Sequence, residues 1–379
     1  MPETTQGRGE TCPTLDKGLG QLLWPHKPAR LKLCLCRSSA PPKLRELVLN
    51  PFFNDRERRL RAFWRLLLQS IISSVLWYAA SASFALVGRA AFGGGAVENP
   101  LASPFFLATG GVVTLVVALF VVWLAGRFFD RRPFSGFGFR INEEWWLDFG
   151  FGLFLGALLI TGVFLVELAA GWVAVTGALQ ATNGGASFFP TILAPLVLFV
   201  CVGIYEELVS RGYQLKNMAE GLNFPRVGPK RAVVLAWVLS SSLFGLLHLW
   251  NPSATLVSTI NIAFAGLLLG AGYVLTGQLA IPIGLHITWN FFQGNVFGFP
   301  VSGLEPVGAT VLSTEQGGPP LFTGGVFGPE AGLLGIATMV LGILLTWLWV
   351  QARSGKATLQ ASLAEPPTAI MVRANTTTD

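Results

Sequence analysis

Residues 193–215 read LAPLVLFVCVGIYEELVSRGYQL, and this stretch decides the fold class. It is almost purely apolar at first, yet Glu206, Glu207 and Arg211 follow within the same run. A membrane-spanning helix needs roughly 20 mostly apolar residues, because about 30 Å of hydrocarbon is crossed at 1.5 Å per residue. The stretch therefore predicts a membrane helix that carries ionisable groups, which are rare inside a bilayer and usually functional.

The rest of the chain has the same character. Hydrophobic residues make up 52% of the 379 residues and charged residues only 12%, and the mean hydropathy is +0.58. Soluble domains carry about 25% charged residues, so the composition indicates a polytopic membrane protein. Eight stretches are long and apolar enough to span: 66–87, 105–125, 149–169, 193–215, 232–249, 256–275, 279–299 and 332–350. We predict an all-α fold with eight transmembrane helices around a buried polar cavity.

The basic residues support this topology. With eight alternating spans, 25 of the 26 Lys and Arg residues fall on one side, and only Arg89 falls on the other. Because short cytoplasmic loops concentrate positive charge, we expect both termini of this multi-pass protein to be cytoplasmic. The bacterial style of the sequence favours the plasma membrane as its location. The net charge of +6 then requires no nucleic acid. The arginines of residues 56–65 are expected to bind anionic headgroups of the membrane lipids.

Composition divides the chain into three parts. Residues 1–60 are predicted to be a disordered basic cytoplasmic tail, and residues 352–379 a second disordered cytoplasmic tail. Residues 61–351 are predicted to form the eight-span membrane domain.

Polar residues inside the spans are few and concentrated on three helices. Apart from His26, the only histidines are His248, in the run FGLLH, and His286, in the run HITWN that ends at Asn290. Glu207 and Arg211 are four residues apart on a helix, so they share a face and can pair. Glu206 is turned about 100° away and is left as the free carboxylate.

These residue types suit peptide hydrolysis. A water held between Glu206 and His248 could lose a proton to the carboxylate and attack a carbonyl carbon. His286 and Asn290 could donate hydrogen bonds to the oxyanion that forms. Glu206, His248 and His286 could instead bind zinc with water as the fourth ligand. We favour glutamate catalysis without a metal, since the three groups lie on different helices and not in an HExxH motif.

The three motifs together resemble the CPBP intramembrane proteases, the Abi-like group that includes type II CAAX prenyl endopeptidases and bacteriocin-processing enzymes. They are EExxxR at Glu206, Glu207 and Arg211, FxxxH at Phe244 and His248, and HxxxN at His286 and Asn290. The resemblance covers about residues 190–300 and implies an endopeptidase whose substrate is a peptide or a membrane-associated protein, lipidated in some members. It further implies that Glu206 and His248 activate water, that His286 and Asn290 bind the oxyanion, and that Glu207, Arg211 and Phe244 support them.

Two other functions remain open at this stage. A proton-coupled transporter would also place Glu and His inside spans, but it predicts two related halves with broken helices, which the sequence lacks. A non-catalytic membrane immunity or scaffold protein could keep the fold after losing the chemistry. The intact motif residues favour a protease over both.

Overall fold

The computed structural model describes residues 50–54, 57–92, 104–181 and 187–367, and it confirms the all-α membrane fold. The long helices are α1 Ala62–Phe92, α2 Pro104–Ala125, α3 Glu143–Ala169, α4 Phe188–Leu222, α5 Pro229–Leu247, α6 Leu256–Thr276, α7 Ala280–Phe291 and α8 Leu333–Ser354. A short turn extends each of three helices: α2 by Gly126–Asp130, α5 by His248–Trp250 and α7 by Phe292–Val296.

Two small antiparallel sheets accompany the helices. The first pairs β1 Phe53–Asn54 with β2 Arg59–Leu60, just before α1. The second pairs β3 Val173–Ala181 with β4 Ala309–Gln316. The second pair ties the segment between α3 and α4 to the long segment between α7 and α8.

The helix α7, which lies in the predicted span 279–299, is shorter than each of the other long helices. Within the described residues, seven helices are long and apolar enough to cross a membrane, and α7 is not among them. It has 12 α-helical residues followed by a π-helical turn of 5 residues. Every residue from 280 to 287 is buried, because α3, α4 and α6 surround the helix. The surface of α7 is thus covered by protein and not by lipid. The count of eight spans stays a prediction.

Glycines let α3 approach α7 closely. A methyl group on Gly156 would lie 2.4 Å from the backbone oxygen of Leu285, and one on Gly284 would lie 2.4 Å from that of Phe149. Small residues at such positions allow membrane helices to pack backbone to backbone. This contact positions the helix that carries His286.

We expect Gly156→Ala to destabilise the protein by about 1–3 kcal/mol, because the added methyl group overpacks the contact between α3 and α7. The matched control is Gly162→Ala on the same helix, where nothing lies within 4 Å of the added carbon. Thermal unfolding in detergent measures both variants. Equal unfolding temperatures for the two would contradict this account of the packing.

A buried ionic cluster joins β2, α1, α2 and the end of α4. Glu220 pairs with Arg59 at 2.8 Å, with Arg65 at 3.2 Å and with Arg132, and Asp130 pairs with Arg65 at 2.6 Å. All five side chains are nearly inaccessible to solvent. The expectation that arginines 56–65 bind lipid headgroups is therefore wrong for Arg59 and Arg65. Sequence alone missed this because the acidic partners are distant along the chain.

Parts of both segments predicted to be disordered tails form contacts where the structure describes them. Phe53–Asn54 pairs with Arg59–Leu60, and Leu359, Leu363 and Ala364 pack against the core. Asn223 donates a hydrogen bond to the Ala364 oxygen at 2.9 Å, the Gln360 backbone donates to the Val274 oxygen at 2.8 Å, and Leu363 is buried. The apolar side chains of this polar stretch cover the ends of α4, α5 and α6. Residues 1–49 and 368–379 lie outside the described part.

Candidate active site

The helix α4 changes pitch at the acidic motif. It is α-helical through Glu207, π-helical over Leu208–Leu215, and α-helical again from Lys216. Arg211 lies inside the π-helical part. Such segments are rare and occur frequently at functional sites. The sequence offered no signal for this change, because no proline lies in the segment.

Glu207 is the fully buried carboxylate of the pair. Its Oε1 accepts hydrogen bonds from Nη1 of Arg211 at 2.9 Å and from Nδ1 of His286 at 2.8 Å. The pairing of Glu207 with Arg211 matches the spacing argument, whereas the bond to His286 was not anticipated. Because the ionised carboxylate only accepts, Nδ1 carries a proton and Nε2 is the nitrogen left for other partners.

Glu206 faces the free nitrogen of the same imidazole. Its Oε2 lies 3.9 Å from Nε2 of His286, and its Oε1 accepts a hydrogen bond from the Tyr205 hydroxyl at 3.4 Å. A separation of 3.9 Å is too long for a direct hydrogen bond but short enough for one water to contact both atoms. The Glu206 side chain is 22% exposed and that of Glu207 0%, so Glu206 is the carboxylate that is not enclosed by protein.

The ring of Phe244 lies near both histidines of the predicted site. Its ring centroid lies 4.6 Å from that of His248 and 6.4 Å from that of His286, and the Arg211 guanidinium stacks over it at 4.4 Å. The His248 Nδ1 donates to the Phe244 backbone oxygen at 2.8 Å. Since a carbonyl oxygen only accepts, Nε2 of His248 is also left free. Both imidazoles thus lie near one aromatic ring.

Asn290 lies one turn beyond His286 on α7, so both residues share one face of the helix. It is half-buried, and no hydrogen bond of its side chain occurs among the residues that the structure describes. Its amide is thus available to a ligand. All residues predicted for the site therefore lie on α4, on α5 with its terminal turn, or on α7.

The zinc alternative predicted Glu206, His248 and His286 as ligands. Across residues 50–54, 57–92, 104–181 and 187–367, no three His, Cys, Asp or Glu side chains are grouped so that they could hold a metal ion. The two His286 nitrogens face two different carboxylates. The zinc-dependent version stays a prediction to be tested.

Residues 188–292 match a family model described as type II CAAX prenyl endopeptidase Rce1-like. The matched range contains every residue predicted for the site: Glu206, Glu207, Arg211, Phe244, His248, His286 and Asn290. We refer to residues 188–292 as the Rce1-like domain because of this similarity. Its resemblance to the CPBP proteases is therefore confirmed, and the Rce1-like domain coincides with helices α4 to α7.

One curated relative resembles a larger part of the chain. The uncharacterized protein YyaK of Bacillus subtilis (strain 168) is 27% identical over 175 residues. That alignment covers 45% of this chain and 54% of YyaK, so the chain spans about half the length of the relative it matches. No solved structure matches the chain.

Glu207→Gln is expected to lower kcat by roughly 10–100-fold for a peptide that the wild type cleaves. Removing the hydrogen-bonding partner that orients a metal-binding histidine costs about that much, and Glu207 is bound to His286 in the same way. The glutamine keeps the size of the side chain but removes the charge shared by Arg211 and His286. Steady-state kinetics at one pH measure the loss. An unchanged kcat would show that the bond to His286 has no part in the reaction.

Proposed function

We propose that this protein is an intramembrane endopeptidase that hydrolyses a peptide bond with a water molecule activated by Glu206. The observation that carries the proposal is the 3.9 Å separation between Glu206 Oε2 and Nε2 of a histidine that Glu207 holds in place. The Rce1-like domain supports it independently, since all the residues concerned lie within the matched range.

In the proposed reaction, Glu206 takes a proton from water while the water oxygen bonds to the substrate carbonyl carbon. His248 helps to hold this water. Asn290 and His286 donate hydrogen bonds to the oxyanion. The proton on Glu206 then passes to the departing amine as the carbon–nitrogen bond breaks.

This scheme defines the protonation of His286. Its Nδ1 proton is already donated to Glu207, so only a second proton on Nε2 can reach the oxyanion. Glu207 places a negative charge next to the imidazolium that results. The Glu207 carboxylate would thus orient His286 and stabilise its charged form.

We propose peptides or membrane-associated proteins as substrates, with lipidated C termini as the first class to test. A lipid-modified substrate would enter a bilayer-embedded site from the membrane itself. We also propose the plasma membrane as the location. The distribution of Lys and Arg supports placing both termini in the cytoplasm.

The test uses the full chain in phosphatidylcholine vesicles with two probes, a farnesylated CaaX peptide and the same peptide without the lipid. Mass spectrometry identifies the products. We expect cleavage by the wild type, loss of cleavage in His286→Ala, and no effect of a zinc chelator. Cleavage that chelator abolishes and zinc restores would favour the metal-dependent version. A wild type that cleaves neither peptide would favour a non-catalytic role.

A further inference from the structure

Glu330 is a buried carboxylate outside the Rce1-like domain. It lies in the 3-10 turn Pro329–Ala331 just before α8 and is 3% exposed. Among the described residues no Lys, Arg or His forms an ion pair with it. A buried carboxylate without a cation is costly and needs other compensation. Burial raises the pKa of Glu330 to about 7.

Hydrogen bonds provide this compensation from two directions. Glu330 Oε1 accepts from the Ser302 backbone at 2.5 Å and from its hydroxyl at 3.1 Å. Glu330 Oε2 accepts from Nε2 of Gln293, which also donates to the Pro300 oxygen at 2.6 Å. A carboxylate suits this place because it offers two accepting oxygens and no donor. Gly328, at a φ of +115°, lies close to both side chains, where a Cβ would be 2.9 Å from Glu330 and 3.0 Å from Gln293.

Gln293 connects Glu330 to the end of α7. Gln293 is fully buried in the π-helical turn that ends α7, one turn beyond Asn290 and two beyond His286. These three residues form a stripe along one helix face. A hydrogen bond to Gln293 therefore acts on the helix that presents the proposed oxyanion donors.

Ser302 connects Glu330 to the turn that carries His248. Asn251 donates from Nδ2 to the Ser302 oxygen at 3.0 Å, and its backbone nitrogen donates to the His248 oxygen at 3.1 Å. Gly303, the next residue in the loop between α7 and α8, packs so closely against the turn after His248 that a Cβ there would lie 1.9 Å from the Pro252 oxygen. The loop and the His248 turn are thus in direct contact.

We propose that Glu330 is a positioning residue that holds the His248 turn and the His286–Asn290 face of α7 at the spacing needed for catalysis. The inference rests on the proposed function and deepens it. The family match ends at residue 292 and the network begins at Gln293, so the site of this chain is completed by a segment outside the Rce1-like domain.

The test labels the full chain with ¹⁵N-histidine and records the imidazole signals at pH 8, where Glu330 is largely ionised. The chain has only three histidines, and a His26→Gln variant identifies the third signal. We expect Glu330→Ala to shift or broaden the His248 signal, and Glu330→Gln to shift it less in the same direction, since glutamine keeps one acceptor. The matched control is Glu305→Gln, which changes an exposed carboxylate of the same loop.

A merely structural role makes a different prediction. It would lower the unfolding temperature of the Glu330 variants but leave the imidazole signals of the folded protein in place, and that outcome would overturn the proposal. If Glu330→Ala does not fold, Glu330→Gln decides.

The same variants are then assayed on the peptide that the wild type cleaves. We expect kcat to fall roughly 10- to 100-fold with KM little changed, since small misplacements of catalytic groups cost that much. If the wild type cleaves no peptide, the proposed function fails, while the imidazole signals still decide the positioning role.

Discussion

Glu206→Gln is expected to reduce kcat for peptide hydrolysis by roughly 10³-fold or more, because a general base alone contributes about 10²–10⁴-fold. Glutamine has almost the same shape but cannot take a proton from water at neutral pH. The change leaves the Glu207–Arg211–His286 bonds in place, since Glu206 takes no part in them. The loss should therefore appear in kcat, while the unfolding temperature stays close to that of the wild type.

Two further variants serve as comparisons for this prediction. Glu305→Gln removes an exposed carboxylate of the loop after α7 and is expected to leave kcat unchanged. Glu207→Gln is expected to cause a smaller loss of kcat, because Glu207 acts through His286. If Glu206→Gln retains more than about a tenth of the wild-type kcat, another group activates the water and the proposed mechanism is wrong.

Glu220→Ala is expected to destabilise the protein by about 3–5 kcal/mol, because removing one partner of a buried ion pair leaves uncompensated charge. Glu220 contacts Arg59, Arg65 and Arg132. In the variant Arg59 would keep Glu57 and Arg65 would keep Asp130, whereas Arg132 would lose the one ion pair it forms among the described residues. The cluster fastens β2 and α1 to the end of α4. Thermal unfolding in detergent, followed by tryptophan fluorescence, measures the effect.

The control for this prediction is Glu144→Ala, which removes a surface ion pair. Glu144 lies 3.6 Å from Arg353 and its side chain is 73% exposed, so the expected change is at most about 1 kcal/mol. Similar unfolding temperatures for Glu220→Ala and Glu144→Ala would show that the buried cluster contributes no more than a surface pair.

The helices could be predicted from sequence because bilayer thickness dictates the length of apolar runs. The predicted spans 256–275 and 332–350 differ by at most a few residues from α6 and α8. The length of α7 was harder to predict, since a helix enclosed by protein does not need to cross the full bilayer. The C-terminal segment was predicted to be disordered because its composition is polar, although Leu363 is buried.

Some contacts of the candidate site could be predicted from the sequence and others could not. The pair Glu207–Arg211 follows from helical spacing, because residues four apart on one helix are neighbours. The bond from His286 to Glu207 joins residues 79 positions apart, and no local pattern predicts it. The Glu330 network was missed for the same reason, since its members come from α7, the loop and the turn before α8.

By itself, then, the sequence determined that the chain is a helical membrane protein and which side chains are chemically suited to hydrolysis. Both conclusions follow from local quantities, namely the length of apolar runs and the types of polar residue inside them. Only the tertiary structure decided that Nδ1 of His286 is bound to Glu207 and that Nε2 faces Glu206. The two carboxylates differ in burial because helix packing encloses Glu207 and leaves Glu206 partly exposed, and packing depends on contacts between distant parts of the chain.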